Sequence, residues 1–180
     1  MNERMTPSEG IESRAELLNR ALAEHEGSLI RYACSIVHDL ERARDVVQDT
    51  FIKLYQQDPA HVNTHLKSWL FTVCRNRALD VLRKEKRIVG MEDNQAENIR
   101  SDSPDPARAL ERKDAARMAL SLLDRLSPKQ REVIRLKFQN DLSYKEISEV
   151  THLSVSNVGF LLHTGLKRLR EILSRQATEA

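Results

Sequence analysis

The sequence predicts an all-α protein: two small helical domains joined by a flexible acidic linker, with a helix-turn-helix in the second domain. Three observations support this prediction. The 180 residues include 5 Gly and 5 Pro, which are too few turn formers for a protein of many short strands. Apolar residues recur at helical spacing on both sides of residues 89–106. That segment has almost no apolar residues, so it cannot bury enough surface to offset its ordering entropy.

The N-terminal domain is expected over residues 12–88. Its first helix ends near His38 and has an apolar face formed by Leu29, Ile30, Ala33, Cys34 and Val37. A second helix, over about residues 41–57, has an inward stripe formed by Val47, Phe51 and Leu54. Pro59 ends that helix, because proline cannot continue a helix and pushes the preceding residue extended. A loop is expected over 59–64.

A long helix begins at about Leu66 and completes the first domain. Its inward residues are predicted to be Leu66, Leu70, Val73, Cys74, Val81 and Leu82. Cys34 and Cys74 lie in apolar stretches without metal-type spacing, so we interpret both as small core residues. Trp69 lies beside the apolar stripe, which favours a place in the core over a role as a stacking platform.

The C-terminal domain is expected over residues 107–175, after a linker over 89–106. Two capping boxes mark helix starts, the first over 127–130 with proline at the first helical position and the second over 143–146. A short helix over 144–150 is followed by a turn and by a helix that Ser154 can cap and that reaches about Ser174. Two helices joined by so short a turn form a helix-turn-helix.

Charge is distributed unevenly, although the net charge is only +2. Seven cations lie in the long N-terminal helix, six of them from residue 75 to residue 87 and one upstream: Arg75, Arg77, Arg83, Lys84, Lys86 and Arg87, with Lys67 upstream. From residue 90 to residue 106 the balance reverses, with five acidic residues and one arginine. A basic segment followed by an acidic one predicts a DNA-facing surface and then a solvated tether.

The last helix is amphipathic. Its inward stripe is predicted to be Val158, Leu161, Leu162, Gly165, Leu166, Leu169, Ile172 and Leu173. The opposite face and its flank form the candidate DNA-binding set: Ser156, Asn157, Phe160, His163, Thr164, Lys167 and Arg168. Phe160 either touches thymine methyl groups, packs on another protein, or is an incidental exposed side chain.

The helix over 41–57 has a polar stripe at positions i, i+3, i+4 and i+7, formed by Asp45, Gln48, Asp49 and Ile52. Taken alone, this stripe is typical of a solvated face. The stretch DVVQDTFIKLY at 45–55, however, resembles the polymerase-binding helix of bacterial sigma factors. The resemblance implies that the stripe binds basic residues on the clamp helices of the largest RNA polymerase subunit.

The stretch WLFTVCRNRALD at 69–80 resembles the same family. There, this helix and the loop before it melt the minus-ten promoter element and hold a flipped base. The residues implied to bind the minus-ten element are Asn63, His65, Arg75, Asn76, Asp80, Arg83, Lys84 and Arg87. An amide such as that of Asn76 can recognise a base edge, while Arg83, Lys84 and Arg87 can follow phosphates.

The resemblance covers nearly the whole chain and points to the small extracytoplasmic-function group of sigma-70 factors. It implies a protein that binds core RNA polymerase and promoter DNA, with the C-terminal helix-turn-helix docking on the minus-thirty-five element. We expect the protein to be cytoplasmic and not inserted in a membrane, because the N-terminus lacks an apolar signal core and no apolar run approaches the roughly twenty residues that span a bilayer. Gly159 and Phe160 stand where a basic and a small polar residue are often found. Whether an anti-sigma protein holds the chain inactive stays open.

Other classes of function are less compatible with the sequence. We expect no enzyme, because no phosphate-binding loop, nucleophile elbow or paired acid and base is evident, and no cofactor or metal, because the six histidines are scattered. A conventional DNA-binding regulator would share the C-terminal half but would not need the stripe of the 41–57 helix. A protein that occupies polymerase without DNA would not need the basic segment at 75–87.

Overall fold

The computed structural model describes residues 12–88 and 121–178, and the regular elements in them are helices, which confirms the all-α prediction. The chain divides into two compact units, Met1–Gln95 and Ala96–Ala180. The linker expected at 89–106 and the start of the C-terminal domain expected at 107 lie outside the described residues.

The N-terminal unit contains α1 (Arg14–Val37), α2 (Leu40–Tyr55), α3 (Pro59–Val62), a 3-10 turn (Asn63–His65) and α4 (Leu66–Ile88). Ser13 begins α1 with a capping box, and His38 ends it in the left-handed conformation at a φ of 57°. Asp39 then caps α2 by accepting a hydrogen bond from the Arg42 amide at 2.8 Å.

The prediction of a loop over residues 59–64 is wrong, because the chain forms the short helix α3 and the 3-10 turn there. The preceding helix already ends at Tyr55, and Pro59 takes the first position of the next helix, where its missing N–H is not needed. Asp58 supplies the cap, accepting a hydrogen bond from the Ala60 amide at 3.0 Å. The turn before α4 is therefore shaped by local capping.

The core of the N-terminal unit forms where α1, α2 and α4 meet. Cys74 is fully buried there, with its Sγ 3.9 Å from the Leu29 carbonyl oxygen of α1, as predicted for a small core residue. The rings of Tyr32 and Phe71 pack with centroids 5.3 Å apart.

The predicted inward stripe of α4 is only partly correct. Leu66, Leu70 and Cys74 are buried, but Val73, Val81 and Leu82 are half-buried. Phe71 and Ala78 are fully buried instead, because α4 packs against α1 and α2 together and its buried face is wider than a single stripe. Trp69 is half-buried and lies at the edge of the core rather than inside it.

The C-terminal unit contains α5 (Pro128–Phe138), α6 (Tyr144–Thr151) and α7 (Val155–Thr178), preceded by a helical turn over 121–124. Both predicted capping boxes are present. The Ser127 hydroxyl accepts from the Gln130 amide at 3.3 Å, and the Ser143 hydroxyl accepts from the Glu146 amide at 3.2 Å.

Helices α6 and α7 form the predicted helix-turn-helix. His152 turns the chain in the left-handed conformation at a φ of 59°, and the Ser148 hydroxyl donates to the Leu153 carbonyl oxygen at 2.5 Å. Val158 and Leu162 are buried as predicted. Leu173 is 45% exposed, contrary to prediction, because the 24-residue α7 is much longer than the 11-residue α5 beside it.

Candidate nucleic-acid interface

The polar stripe of α2 lies on the surface of the N-terminal unit. Asp45 and Gln48 are exposed, and Ile52 is 50% exposed. Asp49 lies at the margin that faces α4, where its Oδ2 accepts a hydrogen bond from Arg77 Nε at 2.6 Å. The four predicted residues therefore share one face, but Asp49 is already engaged within the domain.

An apolar groove adjoins the other margin of this stripe, between α1 and α2. Its volume is about 660 Å³, and Gln48 and Ile52 contribute to its wall. Its apolar lining includes Leu18, Leu22, Ile30, Val47, Phe51 and Tyr55. We did not predict this groove from the sequence, although the outward apolar pair Ile52 and Tyr55 on an otherwise polar face was a usable signal. The stripe thus combines acidic groups with an apolar depression.

A second surface runs along α4. Asn76, Asp80, Arg83 and Arg87 follow one another at spacings of four, three and four residues, which places them on one side of the helix. Asn76, Arg83 and Arg87 are exposed, as is Lys84 beside them, whereas Arg75 is half-buried. Asp80 Oδ1 accepts from Arg83 Nη1 at 2.6 Å. This side of α4 presents one amide and several cations.

The turn before α4 places Asn63 and His65 on the surface. The Oδ1 atom of Asn63 accepts a hydrogen bond from Arg20 Nη2 of α1 at 2.6 Å, a contact across 43 positions of sequence. His65 Nδ1 lies 3.3 Å from the Thr64 hydroxyl. The structure thus joins Asn63 to α1, which the sequence did not indicate.

The outer face of α7 presents Ser156, Phe160, His163 and Lys167 at spacings of four, three and four residues. All four are exposed, as are Asn157 and Arg168 on the flank, and Phe160, at 64%, is the most exposed large apolar side chain among the described residues. Thr164 is half-buried toward α5. Its hydroxyl donates to the Phe160 carbonyl oxygen at 2.8 Å and accepts from Gln130 Nε2 at 3.1 Å.

Two glycines on α7 stand in different surroundings. A Cβ atom at Gly159 would lie 3.6 Å from the Tyr144 ring, an ordinary van der Waals contact. A Cβ atom at Gly165 would lie 2.9 Å from Ile134 Cδ1, closer than real Cβ atoms approach. Gly165 therefore permits the close packing of α7 on α5, whereas none of the described neighbours of Gly159 requires glycine there.

Other kinds of site find little support in the described ranges. Within residues 12–88 and 121–178, no three His, Cys, Asp or Glu side chains come together as a metal ion would require. In those same ranges, no helix combines the length and the apolarity needed to cross a bilayer. The surfaces of α2, α4 and α7 are thus the candidates for function.

Comparison with known proteins gives two family matches. The Sigma-70 region 2 model matches residues 22–88, and the Sigma-70, region 4 model matches residues 116–169. The chain is 28% identical over 146 residues to ECF RNA polymerase sigma factor SigM of Bacillus subtilis, covering 81% of this chain and 88% of SigM. It is 29% identical over 161 residues to RNA polymerase sigma factor SigV of the same species, covering 89% and 93%.

Two solved structures resemble the chain. One is CnrH in complex with the cytosolic domain of CnrY, at a TM-score of 0.60 and 26% identity, covering 89% of this chain and 90% of CnrH. The other is the sigma factor RpoE in complex with the anti-sigma factor NepR from Bartonella quintana, at a TM-score of 0.66 and 27% identity. That match covers 88% of this chain and 98% of RpoE.

Proposed function

The chain belongs to the sigma-70 family of RNA polymerase sigma factors, and from this membership we propose how its surfaces direct promoter-specific initiation. The observation that supports the proposal most is the exposed face of α4. Within the region 2 match, it aligns an amide with cations on one side of a helix that is otherwise packed into the core. Such a face suits single-stranded DNA, because cations follow phosphates while an amide recognises a base.

Core RNA polymerase binds the α2 stripe in this proposal. Asp45 and Gln48 are exposed and offer hydrogen-bond acceptors to basic side chains, and charged hydrogen bonds of this kind fix orientation as well as affinity. Ile52 and the groove beside it add apolar area that an approaching polymerase helix can bury. Asp49 binds at the margin of the stripe, where it also holds Arg77.

The turn before α4 and the face of α4 open the minus-ten element. Asn76 recognises one extruded base, and Arg83, Lys84 and Arg87 hold the backbone of the displaced strand. Asn63 and His65 lie in the turn and form part of the base pocket. Arg75 and Asp80 are half-buried and support the DNA-binding face of α4 from its margin. Asp80 orients Arg83 through their 2.6 Å contact.

The helix-turn-helix docks on the minus-thirty-five element through the outer face of α7. Phe160 offers apolar contact, Ser156, Asn157 and His163 offer polar contacts, and Lys167 and Arg168 bind phosphates. Thr164 contributes indirectly, because its hydroxyl is engaged with Gln130 and with the helix backbone. Two weakly binding units on one chain gain affinity from their linkage, because the second binding event is then intramolecular.

Sigma factors are transcription initiation factors and not catalysts. We propose that this chain likewise contributes no catalytic group and acts in the cytoplasm, where polymerase and promoter DNA are found. We also propose an anti-sigma protein as a regulatory partner. The support is that two structurally similar proteins, CnrH and RpoE, were solved with CnrY and with the anti-sigma factor NepR.

In vitro transcription tests the proposal. Purified core polymerase is supplied with a plasmid library of randomised upstream sequence, with and without the chain, and transcript starts are sequenced. We expect starts that depend on the chain and share a minus-ten and a minus-thirty-five element. Identical starts with and without the chain would exclude a sigma factor and favour a conventional DNA-binding regulator.

A further inference from the structure

Glu12, Arg20 and Asn63 form a side-chain network between the start of α1 and the turn before α4. Arg20 donates from Nε to Glu12 Oε1 at 3.0 Å and from Nη2 to Glu12 Oε2 at 2.9 Å. The same Nη2 donates to Asn63 Oδ1 at 2.6 Å. Glu12 thus holds the guanidinium through two bonds, as is typical of bidentate arginine–carboxylate pairs, and the guanidinium holds the amide.

This network fixes which way the Asn63 amide is turned. An arginine side chain only donates hydrogen bonds, so the amide atom that faces Arg20 must be the oxygen. The pKa of Glu12 is lowered chiefly by its hydrogen bond from Arg20, which is the contact that holds the guanidinium in place. Once its oxygen is engaged by Arg20, the exposed amide has only its N–H groups to offer.

The network persists at neutral pH. The hydrogen bond to Glu12 raises the pKa of Arg20, and the hydrogen bond from Arg20 lowers the pKa of Glu12, so each partner favours the charged form of the other. Because the pKa of Glu12 is lowered in the folded protein, the network is lost only as the pH falls through that lowered value. The Glu12–Arg20 pair that holds the Asn63 oxygen is therefore charged near neutral pH.

We propose that Glu12 and Arg20 are positioning residues that make Asn63 a donor-only reader of one base in the minus-ten element. An unrestrained asparagine can rotate its amide by half a turn and offer either an oxygen or an N–H to the same base position. It would then accept bases whose major-groove edge carries a keto oxygen (T O4, G O6) and bases whose major-groove edge carries an amino group (C N4, A N6) alike. With its oxygen held by Arg20, Asn63 offers a donor and favours a keto base. The inference rests on the proposed function, because it assigns the source of selectivity within the same surface.

Selection from a single-stranded library tests this inference. Holoenzyme assembled from bacterial core polymerase and the full chain is incubated with DNA randomised over ten positions, and the retained strands are sequenced. The variants are Arg20→Ala, which frees the amide, and Asn63→Asp, which keeps an oxygen toward Arg20 but replaces the donor with an acceptor. Arg14→Ala, an exposed arginine on the same helix, is the control.

At one position we expect the wild-type protein to favour keto over amino bases by about tenfold. Arg20→Ala should bring this ratio close to one, Asn63→Asp should reverse it, and Arg14→Ala should leave it unchanged. Wild-type holoenzyme that retains all strands equally would overturn the proposed function itself. A wild-type protein that selects, beside an Arg20→Ala variant with the same ratios, would overturn the inference alone. Uniform loss at all positions in Arg20→Ala, with weaker core binding, would also overturn it, by making Arg20 a purely structural residue.

Discussion

Arg77 of α4 and Asp49 of α2 form an ion pair with Nε and Oδ2 2.6 Å apart. Seven residues earlier in α2, Arg42 pairs with Glu85 of α4. Since the numbering rises along α2 while it falls along α4, the two helices are antiparallel and are joined at two levels. The stripe that we propose to bind polymerase is therefore tied directly to the helix that we propose to open DNA.

Asp45→Lys should abolish binding to core polymerase and leave the fold intact. Asp45 is exposed, where substitutions usually change stability by less than about 0.5 kcal/mol, but the new charge would repel the basic partner. A pull-down with core polymerase and a thermal melt measure the two effects. Glu24→Lys, at an exposed residue of α1 that belongs to neither the stripe nor the groove, serves as the control. Equal retention of Asp45→Lys and wild type would contradict the assignment.

Asp49→Lys should behave differently, because it also destroys the pair with Arg77. The substitution places two cations side by side between α2 and α4, so we expect loss of core binding together with a lower melting temperature. Because both side chains of the pair are partly exposed, we expect the free energy of unfolding to fall by only about 1 kcal/mol. In Asp49→Lys/Arg77→Glu, which restores an ion pair with reversed charges, the melting temperature should recover while core binding stays lost. Recovery of both would show that Asp49 acts only inside the domain.

Asn76→Ala should weaken promoter opening and change the base preference at one minus-ten position. Asn76 is exposed on the face of α4, and loss of a base-specific contact costs about 1–3 kcal/mol of discrimination. Permanganate footprinting on a set of minus-ten variants measures the effect. Arg87→Ala on the same face should weaken all variants alike and reduce the salt dependence by about one unit of slope. A uniform loss in Asn76→Ala would instead assign Asn76 to the backbone-binding residues.

The two glycines of α7 should respond oppositely to alanine. Gly159→Ala meets only an ordinary contact with Tyr144, so it should raise the free energy of unfolding by about 1 kcal/mol through helix propensity. Gly165→Ala should lower it by about 1 kcal/mol, because crowding against buried Ile134 outweighs that gain. Chemical denaturation measures both. Ile134→Val removes the crowding methyl group. The double variant Gly165→Ala/Ile134→Val should therefore have a higher free energy of unfolding than the sum of the two single effects predicts.

Local signals in the sequence were enough to predict most of the fold. The capping boxes at Ser127 and Ser143 and the end of α1 near His38 depend on neighbouring residues, and the structure has them where they were expected. The burial of Phe71 and Ala78 was missed, because it depends on α4 packing against two helices at once, which no single periodicity expresses.

The candidate site was less predictable than the fold. The stripes on α2 and α7 follow from helical spacing, and the set on α4 follows from the resemblance. Most of these residues are exposed, whereas Asp49, Arg75, Asp80 and Thr164 are half-buried. Contacts between distant parts of the chain do not follow from spacing. Neither the pairing of Asp49 with Arg77 nor the bond from Arg20 to Asn63 could be read from a sequence in which the partners lie 28 and 43 positions apart.

Cys74 should resist alkylation in the folded protein. Burial raises the pKa of its thiol to about 12 from an ordinary value near 9, so at pH 8 the reactive thiolate is rarer than in a free cysteine by on the order of 1,000-fold. Iodoacetamide labelling followed by mass spectrometry of the peptides measures this, with the denatured protein as the control. Because the folded pKa is raised, the contribution of the thiol to stability is complete below about pH 9 and is lost as the pH rises toward 12. Equal labelling of native and denatured Cys74 would contradict its place in the core.

Phe160→Ala should weaken binding most at minus-thirty-five elements that contain thymine. Phe160 is 64% exposed and lies between Ser156 and His163 on the outer face of α7, where its ring can contact thymine methyl groups. Lys167→Ala on the same face should weaken all sequences similarly and reduce the salt dependence, because it removes a phosphate contact. Holoenzyme binding to duplexes randomised over the upstream element measures both preferences. Identical preferences for wild type and Phe160→Ala would remove the ring from the DNA interface. That result would favour contact of Phe160 with a regulatory protein.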